Sequence, residues 1–367
     1  MRISIVLSSL LFAILLSLTS CVEDDCEVDP LKRTLLVYIG RDNDLNQAYE
    51  DKRDAIVEGW NGEGGNLVIY QDLPDGAKLE VIYRNKKQNK SRIIYEVPSE
   101  NSADAKVLAK VIERTVEECP ADSYGLVVFS HASGWLPDAT LNSPRSIIKD
   151  NNTWMNLPDF ADAIPDALFD FIVFEACYMG GIEVAYELKD KTEYVLSSPA
   201  EILSPGFKEV YKTSINSLFL AEADLSSFFT DVYDYLGEES SFKSVTLNLI
   251  RTSELEKLAE WVRRNTKDEE FPSIDGIQVF DRSSNHLFFD FEQHFARLTK
   301  TEYAKLELAL LLEKCVINKK ASPTFLLNYG GFKIEHYSGL TTYIAQERFP
   351  YLNGEYKRTK WAQAIAQ

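Results

Sequence analysis

Tyr124-Gly125-Leu126-Val127-Val128-Phe129-Ser130-His131 and Phe169-Asp170-Phe171-Ile172-Val173-Phe174-Glu175-Ala176-Cys177 are two short apolar runs, each ending on a reactive side chain. Continuous apolar runs of this length, rich in Val, Ile and Phe, read as strands buried on both faces, as in parallel sheets. Thr34 to Gly40, Asn66 to Tyr70 and Tyr194 to Ser198 share the same pattern. Helical stretches lie between them. Asp42 to Trp60 has Asp42 or Asn43 as its cap. Ser102 to Glu118 has Ser102 as its cap, a Val107, Leu108, Val111, Ile112 and Val116 stripe, and Pro120 as its stop. Pro158 to Ala167 and Gly181 to Lys189 complete the set, and residues 79–83 and 92–97 read as a hairpin. Strands alternating with helices predict an α/β fold, a mainly parallel sheet with helices on both faces. After Ser204 the pattern predicts helices at 225–236, 253–267, 287–298 and 302–316 and strands at 244–250 and 339–345. These form an additional helical and strand-containing C-terminal part, with a weakly marked subdivision near residue 240.

The composition, 45% apolar, 12% aromatic and 26% charged, excludes a mainly disordered chain and a multi-span membrane protein. The formal net charge of −18 argues against nucleic-acid binding, which requires phosphate neutralisation. It also favours cationic substrates.

The N-terminus reads as an address. Arg2 precedes an apolar run from Ile3 to Leu18, short of the roughly 20 residues a spanning helix needs, so residues 1–20 read as a signal peptide. Leu18-Thr19-Ser20-Cys21 resembles a bacterial lipobox, which makes Cys21 the lipidated first residue of the mature chain. Glu23, Asp24 and Asp25 then place acidic residues in a tether spanning 21–31, as in the surface-export signals of some Gram-negative lipoproteins. The expected location is the bacterial outer membrane, lipid-anchored and facing outward. The folded domain is then 32–367.

Ligands of open parallel sheets gather beyond the carboxyl ends of the strands. His131 and Cys177 both lie there, one right-handed crossover apart. An imidazole beside a thiol favours the thiolate and later protonates a leaving amine. Cys177 also lies just before the helix expected from Gly181, whose N-terminal amides would stabilise a thiolate or a developing oxyanion. The remaining cysteines beyond Cys21 (Cys26, Cys119, Cys315) and the other histidines (His286, His294, His336) form no CxxC or HExxH spacing, so no metal site is expected.

Taken with Leu35-Leu36-Val37-Tyr38, Asp42-Asn43-Asp44-Leu45, Ser130-His131-Ala132-Ser133-Gly134-Trp135, Phe174 to Glu183 and Ser338 to Tyr343, the chain resembles the clostripain-like cysteine peptidases, relatives of caspases, gingipains and separase. The His-to-Cys separation is also close to the roughly fifty residues of caspases. The resemblance covers nearly the whole mature chain and implies a caspase-like fold. It also implies Cys177 as nucleophile, His131 as general acid and base, and an oxyanion hole of the Ala132 and Cys177 backbone amides. Glycine usually stands where this chain has Ala132, which would strain the loop if that position needs a positive φ. Members that cut after Arg or Lys typically carry Asp two residues before the cysteine; here it is Glu175, expected to bind a basic substrate side chain. Relatives can cut themselves in the region after the histidine, which here is a polar stretch from Leu136 to Asn156 with Arg145 and Lys149 as candidate sites. No cofactor is expected; some relatives need calcium, but no motif here supports it. The expected partners are peptide or protein substrates with basic residues and, through the N-terminal lipid, a membrane. Ala132 and Glu175 also leave a second reading open: a surface lipoprotein that keeps the fold and binds peptides without turnover.

Mass spectrometry of the exported chain checks the address. The expected mature protein begins at Cys21 carrying acyl chains; an unmodified residue other than Cys21 at the N-terminus rejects lipidation.

Overall fold

Leu35, Leu36, Val37, Tyr38 and Ile39 are all fully buried, but they face two different layers. Leu35, Val37 and Ile39 pack against one set of helices, Leu36 and Tyr38 against another. This arises from the two-residue period of a strand whose sheet is covered on both sides. The strand, β1 (Arg33–Ile39), lies inside a nine-stranded sheet. The computed structural model describes residues 32–40, 46–73, 75–137, 147–150, 153–267 and 269–366. Cys21, Arg145 and the signal and tether segments 1–31 lie outside the described residues.

After β1 come β2 (Gly65–Leu73), β3 (Gly76–Asn85), β4 (Gln88–Val97) and β5 (Ser123–Phe129). A small hairpin comes next, β6 (Ile148–Asp150) with β7 (Thr153–Met155), then β8 (Phe169–Glu175), β9 (Thr192–Ser197) and β10 (Thr246–Arg251). The two-residue β11 (Phe289–Asp290) and β12 (Val316–Ala321) complete the elements needed here. The large sheet runs β12-β10-β9-β8-β5-β1-β2-β3-β4. Its central five strands are parallel, and antiparallel strands close both edges. Leu31–Gln367 form one compact unit, and β10 and β12, both after residue 240, extend this same sheet.

One face carries α1 (Asn46–Gly59), which presents Ile56 to the sheet. The opposite face carries α2 (Ala105–Glu118), α3 (Leu157–Asp162) and α4 (Ile182–Glu187). The first face is completed by α5 (Lys208–Ser214) and α6 (Leu225–Asp234). The cap of α2 is Asp104, whose carboxylate accepts the Lys106 N–H, rather than Ser102. Ser102 is held elsewhere: its N–H donates to Asp150 and its carbonyl accepts the Tyr38 hydroxyl.

Two further expectations change. The helix predicted through Val316 ends at Cys315, and the chain turns directly into edge strand β12. Its Asn-Lys-Lys centre has no apolar alternation, which suits an edge strand and hides it from a pattern search. The strand predicted at 339–345 shrinks to Thr341–Thr342, paired with β11. Side chains hold the rest of that segment: Glu183 on α4 accepts the Thr342 hydroxyl at 2.9 Å and the Tyr343 N–H at 2.8 Å.

Burial raises the pKa of Glu183 to about 7, against the hydrogen bonds that lower it. A folded-state pKa above the unfolded value means the native state binds the extra proton. Stability from this group is therefore complete below about pH 4.5 and is lost as pH rises through 7, by about 3 kcal/mol over the window. Glu183→Gln keeps an acceptor and cannot ionise. Its stability relative to the wild type is expected to improve steadily between pH 4.5 and 7.5 in denaturant titrations; parallel curves would contradict the assignment.

Candidate active site

Phe129 of β5 and Glu175 of β8 are register partners in a parallel ladder. Two residues beyond that pair, past the carboxyl ends of these adjacent strands, stand His131 and Cys177; the strands themselves are spaced about 4.8 Å apart. Both side chains are half-buried, and Cys177 is a free thiol.

The two tips are packed onto one another. Gly134, three residues after His131, has φ of +66°, and a Cβ there would meet the Tyr178 carbonyl oxygen at 2.5 Å. Tyr178, next to Cys177, itself has φ of 61°, a costly conformation for a tyrosine. Its ring stacks on Phe288 at 4.6 Å, and its N–H donates to the Ala200 carbonyl. Ala132 is buried and is not among the described residues with positive φ, so alanine there carries no such strain. The Ile202 N–H donates to Cys177 Sγ at 3.4 Å, and the thiol donates in turn to the Ile202 carbonyl at 3.9 Å.

The helix expected from Gly181 begins at Ile182, with Gly181 as its N-cap, so four residues separate it from the thiol. The turn between them directs the Tyr178 and Gly180 amides to the carbonyls of Ala200 and Ser198. Its macrodipole is therefore not aimed at the thiol from one residue away.

Glu175 lies deeper. It is 1% exposed and forms an ion pair with Lys52 of α1, itself 2% exposed. Its Oε1 also accepts the Phe207 N–H at 2.7 Å, and its Oε2 accepts the Tyr211 hydroxyl at 2.9 Å. Desolvation lowers the pKa of Lys52, opposed by the adjacent carboxylate; desolvation and the same carboxylate raise that of Tyr211. Every described hydrogen-bonding partner of Glu175 is internal. Lys52, Tyr211 and Ile202 were not singled out from the sequence. The available signal was a lysine on an apolar helix face: positions 52, 56 and 60 recur every four residues, and Lys52, Ile56 and Trp60 are all buried.

Lys149 sits in β6, its N–H bonded to Ser130 Oγ at 3.1 Å and its ammonium over the Trp154 ring. The polar stretch expected to be structureless thus contains the β6–β7 hairpin. Among the described residues no group of three or more His, Cys, Asp or Glu side chains is arranged to hold a metal ion. A calcium site therefore has no fitting donor set among them, and no step is routed through one.

The sequence profile of the Clostripain family matches residues 37–322. The comparison with curated proteins finds no match. Among solved structures, the chain is similar to an inactive zymogen C11 protease from Parabacteroides distasonis, at 31% identity and a TM-score of 0.81, covering 92% of this chain and 99% of that one. It is also similar to a secreted C11 cysteine protease from Bacteroides thetaiotaomicron in complex with an irreversible peptide inhibitor, at 26% identity and a TM-score of 0.79, covering 91% and 98%.

The packing of the two tips makes Gly134→Ala informative. Both its φ and the nearby carbonyl oppose a methyl group, so a loss of about 1–3 kcal/mol is expected, read as a melting temperature several degrees lower. A melting temperature equal to that of the wild type would show that the tips are not held together this way.

Proposed function

We propose, on the premise that this chain belongs to the clostripain family and is a cysteine peptidase, that Cys177 is its nucleophile and His131 its general acid and base. What supports the reading is that both residues follow the carboxyl ends of adjacent parallel strands, each two residues after the Phe129–Glu175 pair. The Cys177 thiolate attacks the scissile carbonyl carbon. The backbone amides of Cys177 and Ala132 receive the developing oxyanion. His131 protonates the leaving amine, and an acyl-enzyme remains on sulfur. His131 then takes a proton from water, the hydroxide attacks the thioester, and the carboxylic product leaves as the thiol is restored. Cysteine peptidases of this family need no cofactor for these steps.

Preference for Arg or Lys depends on whether the Glu175 carboxylate is open to substrate. Self-processing after Arg145 or Lys149 uses the same pocket and stands or falls with it. At Lys149 it also requires β6 to open. Anchoring at Cys21 to the outer membrane belongs to the same proposal. Among the described residues no helix is long and apolar enough to cross a membrane.

The mature protein should alkylate stoichiometrically with a thiol-reactive peptide ketone and hydrolyse a mixed peptide library. Cys177→Ala should lose both, and His131→Ala should keep its fold while losing about 10²- to 10⁴-fold in kcat/KM. Turnover that survives Cys177→Ala would remove the proposed nucleophile. A folded protein that binds peptides yet is never labelled would point to binding without turnover.

A further inference from the structure

Glu175 and Phe129 are the last register pair of β8 and β5, each two residues before Cys177 and His131 in the chain. The Lys52 ammonium lies against both. It pairs with the Glu175 carboxylate, donates to the Pro205 carbonyl at 3.2 Å, and faces the rings of Phe129 at 4.6 Å and Tyr211 at 5.6 Å. A carboxylate, a carbonyl and two aromatic faces are the groups by which proteins recognise an alkylammonium. The structure therefore contains a complete cation site at the acid two residues before the thiol, and the cation is the protein's own.

The site is also closed. Gly206 has φ of +65°, and a Cβ there would come within 1.9 Å of Glu175 Oε1 and 3.1 Å of Lys52 Nζ, so its backbone is pressed against the pair. Four residues earlier, Ile202 donates its N–H to Cys177 Sγ, so one segment contacts both the nucleophile and the ion pair. The neighbouring acid is likewise taken: Glu201 holds Arg282 through two contacts of 2.7 Å. A basic substrate side chain entering here would bring a second cation to a carboxylate already neutralised, in a poorly screened interior. An uncharged side chain meets no such opposition.

We propose that Lys52 is the specificity-determining residue of this peptidase: by filling the cation site at Glu175 it directs cleavage to bonds after uncharged rather than basic side chains. The inference rests on the reading of Cys177 as nucleophile. Lys52→Met removes the ammonium at similar volume and exposes the carboxylate's demand for a cation. Lys52→Met/Glu175→Gln removes both charges and leaves no unpaired ion.

The test is kcat/KM for the mature chain on matched peptides bearing Arg, Lys, Gln or Leu before the scissile bond. The wild type should favour Gln or Leu by at least about tenfold. Lys52→Met should raise the basic-to-uncharged ratio by at least about tenfold, and the double variant should return it to the wild-type value. A wild type that prefers Arg or Lys overturns the proposal outright, even if Lys52→Met fails to fold. So does a folded Lys52→Met with an unchanged ratio. Labelling of Cys177 by a Leu-bearing peptide ketone separates the two levels. Labelling with the wrong ratio, or only by the Arg-bearing counterpart of that ketone, defeats this inference alone, whereas no labelling of the folded wild type by either ketone defeats the peptidase reading beneath it.

Discussion

The parallel hydrogen-bond ladder between β5 and β8 is the constraint on which the site depends. It sets Phe129 level with Glu175, and His131 and Cys177 follow two residues after that pair, past the ends of the two strands. A slip of one residue would send one of the two reactive side chains to the opposite face of the sheet. Slippage is opposed by both covered faces, because alternate residues of each strand are committed to different helical layers. The same ladder that builds the core thus aligns the chemistry, without a dedicated scaffold for either residue.

Two sets of groups result. One holds a histidine and a thiol, half-buried and joined by loops in contact at Gly134 and Tyr178. The other holds a buried ion pair among aromatic rings. Charges in such surroundings persist as pairs: breaking one by removing a single partner costs about 3–5 kcal/mol, because the survivor stays desolvated. Lys52 and Glu175 are therefore structural to each other, whatever they mean for substrate. Glu183 is different, a lone buried carboxyl that meets the closing segment through hydrogen bonds and keeps its proton to about pH 7. One acidic side chain near the site is neutralised by a lysine, the other by a proton.

Much of this is legible in the chain. The central strands announce themselves because burial on both faces demands uninterrupted apolar residues, and the His131 and Cys177 positions are given by where those runs stop. The cap of α2 is ambiguous in sequence because Ser102 and Asp104 are both good caps, and only packing shows that Ser102 is engaged by Asp150 and Tyr38. The edge strand β12 is invisible there because an edge needs backbone partners, not apolar side chains. The segment after Gly339 has the pattern of a strand, yet Thr342 and Tyr343 are also held by the side chain of Glu183, far away in sequence.

The amino-acid order alone determined the α/β alternation, the two strand ends with reactive side chains, and the acid two residues before the thiol. These are local facts, set by hydrophobic period and by the residues at which each apolar run ends. Only the tertiary structure decided what that acid does. Lys52 is distant from Glu175 in the chain, and each charge merely interrupts an otherwise apolar pattern. Their pairing arises because a helix on one face and a strand in the sheet bury them at the same point, where they meet as an ion pair.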